Sequence, residues 1–247
     1  MFEAEASRGV LLLDDPMVAA LERGRDDVTA LLEAERARLR SLELHERAAR
    51  KKGFEIVAGV DEVGRGPLAG PLVAAAVIFD DQPWIPMLDD SKKLAEELRE
   101  ALHALVLERA MSVGVGVVEV EELNTSNLHE ASLEAMRRAL SQLAPQPSLV
   151  LVDGCHAVPG LSCAQQTIVK GDASSVSIAA ASVVAKVIRD RRMAELDARC
   201  SGYGFAVNKG YGTPDHLEAL ARLGPCEAHR VRFGPVARAL EQQLPLF

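Results

Sequence analysis

The stretch of residues 56–79 constrains the fold more than any other part of this chain. Two apolar runs, residues 56–60 and 72–79, flank a short block that is rich in glycine and charge. Both runs are short and bounded by Gly and Pro, a pattern that predicts two buried strands joined by a turn. The first run ends in Asp61 and Glu62, and a buried strand has no packing reason to end in two acids.

The block that follows the two acids is Gly64-Arg65-Gly66. Glycine leaves the backbone bare and allows positive φ, so a ligand can approach closely. The stretch therefore predicts a metal site beside a backbone cradle, although a solvated strand end followed by a tight turn remains open here. A dinucleotide-binding loop is excluded, because that fingerprint opens a helix, whereas Pro71 and a β-branched run follow this block.

Acids recur at two more places where a soluble core has no need of them. The apolar run 148–152 ends in Asp153, and Asp172 precedes a long predicted helix, residues 173–199. If the two strands are neighbours, their ends converge, and Asp172 can reach the same edge. Four carboxylates gathered there would repel one another without cations, and such hard oxygen ligands select Mg²⁺ or Mn²⁺. Two such ions can cleave a phosphodiester with no protein nucleophile.

The overall charge is uneven along the chain. The net charge of the 247 residues is −8, yet residues 182–247 hold 10 Lys and Arg against 7 Asp and Glu. A modestly basic C-terminal third beside an acidic centre suits a metal-dependent enzyme that acts on a polyanion. No signal peptide and no membrane-length apolar run is visible, so we expect a soluble, cytoplasmic protein without membrane contact. Nothing indicates oligomerisation, so we expect a monomer.

The remaining sequence predicts a two-part organisation. Residues 1–53 carry leucines at helical spacing and predict an N-terminal helical extension, while residues 54–247 form the main domain. Lys92 and Lys93 stand near a helix start, where the helix dipole disfavours cations, so phosphate contact is an alternative to simple solvation. Lys186, on the long helix, has the same two interpretations. A further helix is predicted over residues 125–143.

Several blocks together resemble one known family. The segment GVDEVGRGPLAGP, residues 59–71, resembles the signature opening of ribonuclease HII, the type 2 ribonuclease H family. Later blocks match that family in the same order: VDG at 152–154, KGD at 170–172, IAAASVVAK at 178–186 and NKGYGTP at 208–214. The resemblance covers about residues 54–238. Each block is weak alone, but the ordered set is specific.

The resemblance implies an α/β, ribonuclease H-like fold, with a mixed five-stranded sheet flanked by helices and followed by C-terminal helices. It implies hydrolysis of the RNA strand of RNA–DNA hybrids. It also implies incision 5′ of single ribonucleotides embedded in duplex DNA, by two divalent ions, giving 3′-hydroxyl and 5′-phosphate ends.

The resemblance also implies roles for individual residues. The catalytic, metal-binding carboxylates would be Asp61, Glu62, Asp153 and Asp172, holding Mn²⁺ or Mg²⁺. The residues that contact the ribonucleotide would be Gly64, Arg65 and Gly66. Tyr211 would stack on the sugar of the next deoxynucleotide, although ordinary packing is an alternative for it. Lys92, Lys93 and Lys186 complete the candidate substrate contacts.

Two positions depart from the family pattern, and two other functions remain as rivals. Cys155 stands where the family often has Asn, and Arg232 where it usually has Ser. A binding module that only recognises hybrids should have lost a carboxylate, and all four are present. A nuclease of the same fold acting on DNA junctions or terminal nucleotides would not need the Gly-Arg-Gly block or Tyr211.

The C-terminal residues carry a separate hypothesis. Gln243, Leu244, Leu246 and Phe247 resemble the short peptide by which bacterial replication proteins dock on the sliding clamp. The alternative is that these apolar residues fold back on the domain.

Overall fold

The computed structural model describes residues 25–80 and 83–243, with side chains over 27–80 and 83–242. Its centre is a five-stranded mixed sheet in the order β3-β2-β1-β4-β5. The strands are β1 (Val57–Val63), β2 (Leu72–Ile78), β3 (Ser112–Val118), β4 (Leu149–Asp153) and β5 (Ala164–Ile168). The predicted α/β fold with a mixed sheet flanked by helices is thereby confirmed.

The pairing of the strands explains why the acids meet. Strand β1 runs antiparallel to β2 and parallel to β4, and Val60 lies opposite Val152. Asp61 and Asp153 each follow one residue later, so the register places them side by side. Paired positions of neighbouring strands share a face of the sheet, and these two carboxylates therefore share one. The sheet edge predicted from the sequence is the one observed.

Helices cover both faces of the sheet. In chain order they are α1 (Arg25–Leu42), α2 (Leu44–Lys51), α3 (Glu96–Arg109), α4 (Val120–Thr125), α5 (Leu128–Ser141), α6 (Val176–Arg199), α7 (Phe205–Asn208), α8 (Pro214–Leu223) and α9 (Gly234–Gln243). A 3₁₀ turn, Gly171–Ala173, precedes α6. None of the helices in the described ranges has both the length and the hydropathy needed to span a membrane.

Two helix boundaries differ from the sequence prediction. The helix predicted over 125–143 is observed as α5, Leu128–Ser141, and it begins three residues later than predicted, because Asn127 is its N-cap and accepts a side-chain hydrogen bond from the His129 amide. The long helix begins at Val176 and not at residue 173, with Ser175 as its N-cap. The intervening residues form the turn that carries Asp172.

Helix α6 lies unusually close to the sheet. A Cβ built on Gly59 of β1 would lie 2.4 Å from the Ser177 carbonyl carbon, so only glycine allows this approach. The buried face of α6 consists largely of small residues, including Ala180 and Val184, and packs against β2 side chains such as Ala75. Burial of this apolar surface stabilises the contact. The packing also brings the start of α6 next to the acidic end of β1.

The described part of the N-terminal extension packs on the main domain. Leu39 and Leu42 of α1 belong to the same buried cluster as the β2 side chains. The Arg50 guanidinium donates hydrogen bonds to the Phe79 and Asp80 carbonyls, each over 2.9 Å. The division of the chain at residue 54 stays a prediction.

Candidate active site

The four predicted carboxylates lie at one edge of the sheet, on three elements. Asp61 and Glu62 are the third-last and second-last residues of β1, and Asp153 is the last residue of β4. Asp172 lies in the 3₁₀ turn before α6. The Gly171 amide donates a 2.7 Å hydrogen bond to Asp153 Oδ1, which ties this turn to the end of β4. Residues more than 100 positions apart thus form one acidic cluster.

A serine lies near each of the two carboxylates of β1, and the two serines belong to helices on opposite faces of the sheet. Ser182 of α6 acts to lower the pKa of Asp61, and Ser132 of α5 acts to lower that of Glu62, so each serine favours the ionised form of the neighbouring acid. The opposite faces follow from the two-residue period of a strand. Ser91 Oγ lies 2.9 Å from Ser182 Oγ and extends this network. Helices that are distant in sequence therefore place polar groups beside both acids.

The cluster carries excess negative charge. The pKa of Asp61 is raised well above its usual value, first by burial and then by the charges of Glu62 and Asp153. Burial also raises the pKa of Glu62, against the effect of Arg65. The pKa of Asp153 is raised by burial and by Asp172. Such repulsion disfavours the ionised forms, so a cation added here would be bound favourably.

Two cationic side chains already contact the cluster. Lys92 Nζ lies 3.1 Å from Asp172 Oδ2, and Arg65 Nη1 lies 3.3 Å from Glu62 Oε1. Burial acts to lower the pKa of Lys92, but the hydrogen bond to Asp172 and nearby acids outweigh it, and that pKa is raised. The ammonium and guanidinium groups partly neutralise the acidic edge.

The four carboxylates suit a hard divalent cation, although their side chains do not converge on one point. Within the described residues, no three His, Cys, Asp or Glu side chains are arranged to hold a single ion. The contacts explain this: Asp153 accepts the Gly171 amide, while Asp172 and Glu62 are held by Lys92 and Arg65. Clustered carboxylates with raised pKa values are nevertheless the ligands that Mg²⁺ and Mn²⁺ prefer.

The two predicted ribonucleotide-contacting segments are adjacent. The Gly-Arg-Gly block, residues 64–66, begins at the end of β1, and Gly64 has a φ of +99°. A Cβ built on Gly66 would lie 3.7 Å from Tyr211 Cε1. Tyr211 is 45% exposed, and the Arg65 side chain is 50% exposed. Both segments therefore offer accessible groups next to the carboxylates.

The other two candidate lysines are engaged in ion pairs. Lys93 Nζ lies 3.0 Å from Asp89 Oδ1 at the surface. Lys186 is largely buried, and its ammonium lies 2.7 Å from Asp190 Oδ1. Burial lowers the pKa of Lys186, while Asp190 acts to raise it. The two residues of this pair lie four positions apart on α6.

Sequence reasoning missed several residues that hold the site in place. Ser132 and Ser182 carry no motif signal of their own for contact with the carboxylates. Arg189 and Arg230 are fully buried, which composition cannot predict, because arginine is usually exposed. For Ser182 and Arg189 the available signal was their position inside or just after the block at 178–186, which resembles the family.

Comparison with known proteins agrees with this geometry. The family model described as Ribonuclease HII matches residues 58–236. The chain belongs to the ribonuclease HII family. It is accordingly a metal-dependent endoribonuclease of the ribonuclease H class that acts on RNA–DNA hybrids. The family predicted from the sequence blocks is confirmed.

Individual relatives cover most of the chain. Ribonuclease HII of Geobacillus thermodenitrificans (strain NG80-2) is 48% identical over 240 residues, spanning 93% of this chain and 92% of that protein. The ribonuclease H2 structure from Pyrococcus horikoshii OT3 superposes with a TM-score of 0.65 at 26% identity, over 76% of this chain and 98% of that one. Ribonuclease HII from Archaeoglobus fulgidus, solved in complex with PCNA, has a TM-score of 0.62 at 27% identity, covering 72% and 95%.

Proposed function

We propose that this ribonuclease HII also incises duplex DNA 5′ of a single embedded ribonucleotide, leaving 3′-hydroxyl and 5′-phosphate ends. The observation that carries the proposal is the adjacency of the Gly-Arg-Gly block and Tyr211, next to the carboxylate cluster. A bare backbone can approach the ribose, and its 2′-hydroxyl is the group that distinguishes RNA from DNA. An aromatic ring beside it can stack on the following sugar.

The catalytic role is proposed for the four carboxylates. Asp61, Glu62, Asp153 and Asp172 would hold two divalent ions, either Mn²⁺ or Mg²⁺. When bound, two such ions lower the pKa of a water nucleophile and stabilise the leaving oxygen of the phosphodiester. The chain's own contribution is to orient Asp153 through the Gly171 amide, to place serines beside Asp61 and Glu62, and to hold the ribose against the Gly-Arg-Gly block.

Phosphate contact is proposed for the three lysines, with unequal support. Lys92 has the most, because its side chain is 73% exposed and its ammonium already lies at the carboxylate cluster. Lys93 is 57% exposed, and its ammonium forms an ion pair with Asp89. Lys186 has the least, because Asp190 engages its ammonium inside the protein. Neutral substitution of Lys92 should therefore weaken substrate binding the most.

The test is cleavage of a DNA duplex that contains one ribonucleotide, in Mg²⁺, Mn²⁺ or EDTA, with the cut mapped to the nucleotide. We expect a metal-dependent cut 5′ of the ribonucleotide. Cleavage restricted to longer RNA stretches would keep the hybrid activity and overturn the roles given to Arg65 and Tyr211. A cut at junctions or termini of all-DNA substrates would favour the rival nuclease.

We also propose that the C-terminal peptide docks on the sliding clamp. Support comes from the motif-like residues Gln243, Leu244, Leu246 and Phe247 and from the archaeal relative solved with PCNA. Gln243 is the last residue of α9, and residues 244–247 lie outside the described part of the chain. Deleting residues 243–247 should abolish clamp binding and spare cleavage of short duplexes. Unchanged clamp binding would contradict the proposal.

A further inference from the structure

Two fully buried arginines lie beneath the Gly-Arg-Gly block. Arg189 of α6 is 0% exposed, and Arg230, before α9, is 1% exposed. Over the described residues, neither side chain forms a salt bridge with a carboxylate. Burial lowers the pKa of both guanidinium groups, and that of Arg230 to about 9. Burying a charge that has no counter-ion is unfavourable. The hydrogen bonds that the two guanidinium groups donate therefore show what keeps these arginines in the interior.

Arg230 holds both ends of one substrate-facing segment, residues 65–71. Its Nε and Nη2 donate to the Gly70 carbonyl over 3.0 and 2.7 Å, and Nη2 also donates to the Pro71 carbonyl over 3.2 Å. Its Nη1 donates to the Arg65 carbonyl over 3.2 Å. A single guanidinium therefore fixes the distance between the middle of the Gly-Arg-Gly block and the start of β2.

Arg189 connects the same segment to the loop that carries Tyr211. Its Nε and Nη2 donate to the Pro71 and Ala69 carbonyls over 3.0 and 3.2 Å, and its Nη1 donates to the Lys209 carbonyl over 3.0 Å. The two loops also touch through backbone, since a Cβ on Gly210 would lie 2.4 Å from the Ala69 oxygen. The relative position of the two loops thus depends on Arg189.

Two histidines fix the Tyr211 backbone from the other side. His216 Nδ1 lies 2.8 Å from the Tyr211 carbonyl oxygen, which can only accept, so this nitrogen carries a proton. His216 Nε2 then accepts from His229 Nε2, 3.1 Å away, and His229 Nδ1 accepts from the Cys226 amide over 3.0 Å. Both rings are neutral in this network. His229 directly precedes Arg230, so one C-terminal segment braces both loops.

We infer that Arg189 and Arg230 are positioning residues for ribonucleotide discrimination. They set the spacing between the Gly-Arg-Gly block and the Tyr211 ring without touching the substrate. The planar guanidinium is suited to this role, because its five N–H groups can serve several carbonyls at once, whereas a lysine ammonium is a flexible point charge. The inference rests on the proposed function of the Gly-Arg-Gly block and Tyr211.

The test measures duplex affinity in the full-length chain carrying Asp61→Asn, which prevents cleavage. Each variant is titrated with two duplexes that differ only by one ribonucleotide, and the ratio of the two Kd values is compared. We expect Arg189→Lys and Arg230→Lys to reduce the preference for the ribonucleotide about tenfold or to parity, while affinity for the all-DNA duplex changes little. A general loss of folded protein would change both affinities together and leave their ratio unchanged.

Two further variants make the result specific. Arg191→Lys is the matched control, because Arg191 lies on the same helix and pairs with Glu100 at the surface; its ratio should equal that of the parent. Tyr211→Ala tests the proposed function itself. If it lowers the ratio and the lysine variants do not, the positioning role is overturned. If Tyr211→Ala also leaves the ratio of the two Kd values unchanged, the proposed recognition of the ribonucleotide is overturned instead.

A measurement on the unsubstituted protein covers the case in which the lysine variants do not fold. The Leu68 amide donates to the Gly210 carbonyl and the Gly70 amide to the Ala228 carbonyl, each over 2.8 Å. If the buried arginines hold this segment ready for substrate, both amides should exchange slowly with solvent deuterium in the duplex-free protein. Exchange at the rate of an open loop would overturn the inference.

Discussion

The raised pKa of Asp61 bears both on stability and on the metal binding proposed for this residue. The side chain is 5% exposed and faces two other acids of the cluster. An isolated buried carboxylate would simply take up a proton, but the Glu62 amide donates a 2.7 Å hydrogen bond to Asp61 Oδ1, and Ser182 and this amide both act to lower the pKa of Asp61. The site is therefore prepared for a cation at the expense of stability in its absence.

Asp61→Asn should accordingly have opposite effects on activity and stability. We expect cleavage to fall by about three orders of magnitude or more, because a proposed metal ligand is lost, while duplex binding is retained. In EDTA, the free energy of unfolding should rise by about 1–2 kcal/mol, because a repelling buried charge is removed. Urea unfolding and single-turnover cleavage measure the two effects. Glu195→Gln, on the exposed surface of α6, is the control; near-normal turnover of Asp61→Asn would remove this residue from the metal site.

His229 should make stability depend on pH. Burial, and then the neighbouring His216, lower its pKa from 6.5 to about 4. Above pH 6.5 the imidazole is neutral in both the folded and the unfolded chain. Between pH 6.5 and 4 the unfolded chain binds a proton that the folded chain does not, so stability falls as pH falls, by on the order of 3 kcal/mol.

The measurement is urea unfolding of the metal-free protein from pH 4 to pH 7, compared with His229→Gln. The variant should be less stable at neutral pH but should lose stability less steeply below pH 6.5. The difference between the two curves isolates His229 from the carboxylates, which titrate in the same range. Parallel curves would show that His229 is not held neutral.

At the scale of elements, the N-terminal end of α6 is bound by a residue of α2. Glu46 is 5% exposed, and its Oε1 accepts from Ser175 Oγ and Ser177 Oγ, each over 2.5 Å, and from the Ser177 amide over 3.1 Å. A carboxylate there satisfies free helix donors and interacts favourably with the helix dipole. Because Ser175 follows the turn that carries Asp172, the extension also supports the acidic cluster.

Glu46→Ala should therefore destabilise the protein by about 2–3 kcal/mol, because three buried donors lose their acceptor. Glu46→Gln keeps an acceptor oxygen and should cost less. Urea unfolding at neutral pH gives both values, with Glu33→Ala on the exposed face of α1 as the control. Equal stability of the alanine variant and the control would show that the Glu46 contacts contribute nothing.

At the scale of the whole molecule, the described part of the N-terminal extension packs firmly against the main domain. Leu39 and Leu42 are buried in the main cluster, and Arg38 Nη1 donates to the Leu88 carbonyl over 2.9 Å. Burying a leucine side chain contributes about 1.5–3 kcal/mol. Together with Glu46, this adds up to a large share of the stability of a typical domain.

A chain that begins at residue 54 should thus melt at a temperature lower by about 10 °C or more. We expect it to cleave a ribonucleotide-containing duplex at low temperature and to lose activity on mild heating, since the proposed catalytic residues remain. Thermal unfolding and cleavage at two temperatures measure this. Unchanged melting would show that the extension is an appendage.

The sequence pattern predicts the local elements and identifies the acidic residues that are proposed to bind metal. Strands β1, β2 and β4 were predicted because short apolar runs bounded by Gly and Pro have few other conformations. Asp61, Glu62 and Asp153 became candidates because acids at the end of an apolar run are costly to bury, and Asp172 because it precedes the long predicted helix. The ordered blocks then predicted the ribonuclease HII family, which the comparisons confirmed.

The contacts that hold these groups form only when distant parts of the chain fold together. Arg189 and Arg230 donate to carbonyls up to 165 positions away, and Lys92 reaches Asp172 across 80 positions. Lys186 was a candidate substrate contact, and its partner Asp190 and its burial emerged only from the packing of α6. Local pattern reports conformational preference and hydropathy, whereas hydrogen-bond partners and buried charges depend on which surfaces meet when the chain folds.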